Sequence, residues 1–205
     1  NATVGTPVIE DGAAGTHILT VNSTGSNVYE GVLQNGAAGT LALTKSASGS
    51  LTLSGGNTYS GTTTLSAGTL NINSTTAIGS GTFTISAGTI DNSSGGAITL
   101  TNNNVQNWNG DFTFAGTQNL NLGTGAVTLS GNRQITVSAG TLTIGGTISA
   151  GTLNLTKAGS SGTLSFGSQA VTLNSLTISA GTLTSTSGTM NLAGDFSNSG
   201  VFTHN

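Results

Sequence analysis

The feature that most constrains this chain is a three-residue unit, apolar–small polar–apolar, repeated along most of its length. It reads Leu51-Thr52-Leu53, Phe83-Thr84-Ile85, Phe112-Thr113-Phe114, Val127-Thr128-Leu129, Leu142-Thr143-Ile144, Leu164-Ser165-Phe166 and Met190-Asn191-Leu192. A period of two places apolar side chains on one face of a pleated strand and Thr, Ser or Asn on the other. The units recur about every ten residues with no helical period between them, so the chain is expected to be all-β. Gly-containing turns separate them, and the tag Ser-Ala-Gly-Thr-(Leu/Ile) recurs at Ser66, Ser86, Ser138, Ser149 and Ser179. Its uneven spacing predicts a recurrent turn that does not sit at one fixed corner.

Short strands at this interval suit either a sandwich of sheets or a coil of parallel strands. Self-similarity favours the coil, because repeats that cannot bury their own faces must stack. Hairpin signals are sparse: Asn35-Gly36 and Asn109-Gly110 are the only Asn-Gly pairs. Aromatics are 4% of residues, thin material for a sandwich core. The expected fold is a right-handed parallel β-helix. Roughly 20 to 25 residues per rung gives roughly eight to ten rungs, about 40 to 50 Å long. Residues 1–205 are expected to form one β-solenoid segment, with irregular first rungs over 1–35. Asn57, Asn73, Asn102 and Asn174 are candidates for side-chain ladders along the axis.

The stretch Leu41–Leu70 adds a second signature: Lys45, Gly49, Leu51, Leu53, Gly55, Asn57, Tyr59, Gly61, Thr63, Gly68 and Leu70. It resembles the passenger-associated repeat of bacterial autotransporters, with Ala47 standing where that pattern has a first Gly. A partial second copy follows at Leu155-Thr156-Lys157, with Gly159, Gly162 and Leu164. The resemblance implies a β-helical passenger on the bacterial cell surface or outside the cell, associated with the outer membrane through an anchor beyond this stretch. It implies a structural stalk or surface-display segment of an adhesin. A self-assembling filament or matrix subunit is the alternative. Text at Asn205 reads on into text like that at Asn1, so neighbouring repeats, or copies of itself end to end, are the expected partners.

The charge balance excludes other classes. The net charge is −3 and the chain has three Lys and Arg residues, too few for a nucleic-acid footprint. There is no Cys and no apolar run of about 18 residues, so neither a disulfide framework nor a membrane-spanning helix is expected. The acids are Glu10, Asp11, Glu30, Asp91, Asp111 and Asp195. No two are spaced as a facing catalytic pair, and His17 and His204 lie near opposite ends. No catalytic residue, metal site or cofactor is therefore expected, and the chain reads as no enzyme. Asn1-Ala2-Thr3, Asn22-Ser23-Thr24, Asn73-Ser74-Thr75 and Asn92-Ser93-Ser94 match the glycosylation sequon.

Two binding readings remain. Trp108, flanked by Asn107 and Asn109, could stack on a host or environmental glycan; the alternative is a lengthened turn whose Trp packs on the solenoid side. The pairs Thr82 and Thr84, Thr141 and Thr143, and Thr182 and Thr184 have the Thr-x-Thr form of a flat ice-binding face.

Overall fold

A computed structural model describes residues 7–205. Among these residues there is no helix; the chain is a parallel β-solenoid of nine turns. Two nine-stranded sheets run its whole length. The first holds Gly15–Asn22, Gly39–Ser46, Thr63–Leu65 and so on to Met190–Leu192; the second runs from Ser26–Tyr29 to Phe196–Asn198. The third side is a six-stranded sheet from Ile98–Thr99 to Val201–Thr203, preceded by the paired strands Val8–Glu10 and Val32–Gln34. The strand pairings are parallel and link one rung to the next. The rung length varies from 19 residues (Val171 to Met190) to 24 (Gly15 to Gly39).

The alternation works as the sequence predicts. In Phe83–Ile85, Phe112–Phe114 and Leu164–Phe166 the outer two residues are buried and the middle one half-exposed. Stacked rungs form one continuous interior of Leu, Ile, Val and Phe. Each such buried side chain contributes roughly 1.5–3 kcal/mol before chain entropy is subtracted.

Two expectations need correction. The opening is not irregular in its pairing: Gly15–Asn22 matches Gly39–Ser46 over eight consecutive residue pairs, the longest register in the molecule. Most of its residues are exposed, while Leu19 and Val21 pack partly against the core. Gln106–Trp108 is a strand of the first sheet, not a turn, with Gln106 and Trp108 both directed inward. The sequon at Asn1-Ala2-Thr3 lies outside the described residues.

Candidate functional site

The chemistry of this molecule is concentrated where one rung is joined to the next. Lys45, next to last in the strand Gly39–Ser46, takes an inward position and is fully buried. A bare buried ammonium is prohibitively costly unless its three donors find acceptors. They do: Nζ donates to the carbonyls of Ser46 and Ala47, each at 2.8 Å, and to Ala67 at 3.4 Å. The first two belong to the lysine's own turn and the third to the turn one rung on. No carboxylate takes part, and burial pulls the ammonium pKa below the ordinary lysine range. Gly68 closes the ring with φ +73°; a Cβ there would lie 2.7 Å from Nζ and 2.2 Å from the Gly49 carbonyl.

On the third side, where the second and third of the nine rungs lack a strand, side chains replace the ladder. Asn57 Oδ1 accepts from Leu33 N at 2.8 Å, and its Nδ2 donates to the Ala77 carbonyl at 2.5 Å. One buried amide thus ties three successive rungs. Tyr59 fills the interior beside it, fully buried, its hydroxyl 2.5 Å from Thr63 Oγ1, which donates to the Ile78 carbonyl at 2.9 Å. Burial raises the Tyr59 pKa well above its usual value.

These residues lie inside a stretch, 43–72, that matches the family model described as Passenger-associated-transport-repeat. Over those residues the chain is similar to that repeat. No curated protein and no solved structure matches the chain. The repeat begins and ends two residues later than the Leu41–Leu70 signature read from sequence, and Lys45, Asn57, Tyr59, Thr63 and Gly68 each join or fill rungs within it.

The partial second copy uses the same device at a different corner. Lys157 is also fully buried, and its Nζ donates to the carbonyls of Gly159 at 2.5 Å and Ala180 at 3.0 Å. Burial lowers its pKa as well. Gly181, at φ +71°, takes the place of Gly68, with a would-be Cβ 2.3 Å from Nζ. In both copies the outer acceptor is the Ala of a Ser-Ala-Gly-Thr tag. The tag therefore marks two corners: first to second sheet at Ser66 and Ser86, second to third at Ser138 and Ser179.

The sequence-nominated binding residues do not form a surface site. Trp108 is fully buried, in edge contact with Phe112 at 5.4 Å between centroids, so its ring offers no face to a sugar. This corrects both readings of that residue: it packs inside the solenoid. Asn107 and Asn109 face outward on either side of it.

The expectation of one flat Thr face is corrected as well: Thr82 and Thr84 stand on the first sheet, and the other two pairs on the third. Thr84 is on the first sheet between Thr64 and Asn107, and Thr82 belongs to that side too, its carbonyl accepting from Thr63 N. Thr141 and Thr143 are on the third sheet, with Thr163 and Ser165 on the next rung. Thr182 and Thr184 are on that sheet one rung further on, both half-buried. Neither extends a Thr column on both sides: Thr184 lies in register between Ser165 and Thr203, and Thr182 between Thr163 and Val201. Thr184 therefore does not share a face with Thr84, and Ser165 separates it from Thr143.

The acids are scattered. Asp11 accepts from Ala13 N at 3.1 Å and pairs with His17 at 2.8 Å, and the hydrogen bond to His17 lowers its pKa. Asp91 is buried and accepts from Gly116 N, Thr117 N and Thr117 Oγ1. Among the described residues no three of His, Cys, Asp and Glu cluster as metal ligands. Sequence reasoning missed Asn104, whose amide donates to the Gly79 and Gly81 carbonyls of the rung below. Its place in the run Asn102-Asn103-Asn104 hid it. Of the ladder candidates, Asn174 makes an amide-to-amide link, to Asn154 at 2.8 Å; Asn57, Asn73 and Asn102 bridge rungs through backbone or Ser instead.

Proposed function

We propose that this segment is a structural stalk or surface-display element of a secreted or cell-surface, autotransporter-like bacterial adhesin, and that it works without catalysis. One observation carries the reading: the polar residues of the passenger repeat are used to join rungs, not to build a surface site. Lys45 and Asn57 each hydrogen-bond to the following rung, and Tyr59 and Thr63 close the gap between them. A chain of this kind gains length by adding rungs, each stabilised by its neighbours.

Exposed apolar side chains at the two ends support the reading of end-to-end partners. The last rung exposes Phe196, Val201 and Phe202, and the first exposes Val8, Ile9, Ile18 and Val28. Strand edges with apolar interiors take another rung. That rung is either a further repeat of the same polypeptide or, in the filament reading, a second copy stacked head to tail.

The test is display. The segment is placed between an export signal and a translocating barrel, with an epitope at its N-terminus. The stalk reading expects the epitope outside the cell and a protease-resistant solenoid beneath it. Export in an unfolded, protease-sensitive state would overturn it.

A further inference from the structure

Outside the joints, the second sheet carries a polar groove of about 280 Å³ that crosses successive rungs. It is lined in part by Asp111, Arg133, Gln134, Asn154, Thr156 and Thr177. Gln134, Thr156 and Thr177 are register partners on three consecutive rungs, so their side chains form one outward column. Asp111 tops the column, its Oδ1 accepting from Gln134 N at 2.8 Å.

Charge placement sets this groove apart. With Lys45 and Lys157 buried, Arg133 is the only Lys or Arg side chain left at the surface, and it lies here beside one of only six acids. Its guanidinium is fixed in three places: Nε to the Trp108 carbonyl at 3.0 Å, Nη1 to the Asn132 carbonyl at 2.7 Å, and Nη2 to Ser130 Oγ at 2.6 Å. Two of its five N–H groups remain for another acceptor. The amides are fixed too. Asn132 Oδ1 accepts from Asn154 N at 2.9 Å, and Asn154 Oδ1 accepts from Asn174. Asp111 Oδ2 and the amide NH2 groups of Asn132 and Asn154 make no hydrogen bond among the described residues. One free carboxylate acceptor thus stands with three sets of free donors over three rungs, held before any ligand arrives.

We propose that this groove binds a polyhydroxylated ligand, an oligosaccharide or similar polyol lying along the solenoid axis. Vicinal hydroxyls both donate and accept, matching a carboxylate oxygen, guanidinium N–H groups and amides in sequence. The opposite charges of Asp111 and Arg133 favour a neutral ligand over an anion. No aromatic ring lines the groove, so affinity rests on hydrogen bonds and is weak, with Kd on the order of 1 mM. The site does not depend on the stalk reading: an empty groove would leave that reading intact.

Backbone amide NMR titration tests it, with cellohexaose, laminarihexaose, mannohexaose and chitohexaose each at up to about 20 mM, enough to saturate a millimolar site. The expected result is saturable shifts at residues 111, 132–134, 154–156 and 175–177 with at least one probe. Asp111→Ala should weaken binding at least tenfold, and Thr177→Tyr should abolish it, both with unchanged circular dichroism. Thr128→Ala, on the first sheet, should bind normally. Absence of shifts with all four probes, shifts centred elsewhere, or wild-type binding by Asp111→Ala would overturn the proposal.

Discussion

Ala47 and Gly68 face each other across the lysine ring and make opposite predictions. Ala47 holds φ +62°, a left-handed conformation, at the position where the repeat pattern has Gly. That conformation costs an L-residue roughly 1–2 kcal/mol. Ala47→Gly removes the strain but adds freedom to the unfolded chain, a loss of about 0.4–1 kcal/mol. The net should be a gain of about 0.5–1 kcal/mol, or about 1–4 °C in Tm for a chain of this size. Gly68→Ala runs the other way. It adds the same strain at φ +73° and forces a Cβ to 2.2 Å from the Gly49 carbonyl and 2.7 Å from Lys45 Nζ. Displacing the ammonium from one carbonyl adds about 1.5–3 kcal/mol and the stiffer unfolded chain offsets about 0.4–1, so the loss should be about 2–4 kcal/mol. Guanidinium unfolding followed by the fluorescence of the single Trp measures both. A neutral or destabilising Ala47→Gly, or a Gly68→Ala costing under about 1 kcal/mol, would refute the strained-ring argument.

The remaining predictions concern buried polar groups and the Trp. Burial lowers the folded pKa of Lys45 and Lys157 below 10.5, so between that lowered value and 10.5 the unfolded chain binds more protons and stability rises with pH. Tyr59 opposes this: its folded pKa is raised above 10.0, so beyond that pH the unfolded chain loses the phenol proton first and stability falls. Denaturation midpoints should climb as pH approaches 10.0 from below and drop once Tyr59 dominates, and the double variant Lys45→Met, Lys157→Met should flatten the climb; a decline on the approach to that pH would contradict the assignment. Asn57→Ala orphans Leu33 N and the Ala77 carbonyl and should cost about 2–5 kcal/mol in chemical denaturation, where a loss near zero would show that the bridge contributes nothing. Trp108→Ala should cost about 3–5 kcal/mol, and the wild-type emission should be blue-shifted and shielded from iodide; ready quenching would place the indole outside.

Much of the fold was legible because its signal has period two. Units such as Leu51-Thr52-Leu53 need only alternation to declare an inward and an outward face, and rung stacking follows once hairpin turns are lacking. The passenger repeat was legible because its residues are spaced by backbone geometry: Gly where the next rung crowds in, Asn where a strand is missing. What was not legible depends on register. The Thr pairs look equivalent in sequence, yet rungs of 19 to 24 residues put Thr84 on the first sheet and Thr143 and Thr184 on the third. The strand Gln106–Trp108 was hidden because a polar Gln occupies an inward position, its Oε1 accepting from the indole Nε1 at 3.3 Å. The burial of two lysines cannot be read from charge at all, since it rests on carbonyls that converge only when the next rung is in place. The polar groove likewise joins Asp111 to Thr177 across rungs that no local pattern connects.

The central claim is that rungs stack in parallel with one register column per sheet, and distances along such a column test it most directly. Thr20, Thr44, Thr64, Thr84, Asn107, Thr128, Ser149 and Thr172 form one outward column of the first sheet. The chain has no Cys, so spin labels can be placed in pairs without background. At ~4.8 Å per rung, pulsed electron paramagnetic resonance should give about 19 Å between Thr44→Cys and Thr128→Cys, four rungs apart. It should give about 29 Å for Thr44→Cys with Thr172→Cys, and about 34 Å for Thr20→Cys with Thr172→Cys. Distances that fail to lengthen rung by rung, as in a folded-back sandwich, would contradict the solenoid and with it the role assigned to the passenger repeat.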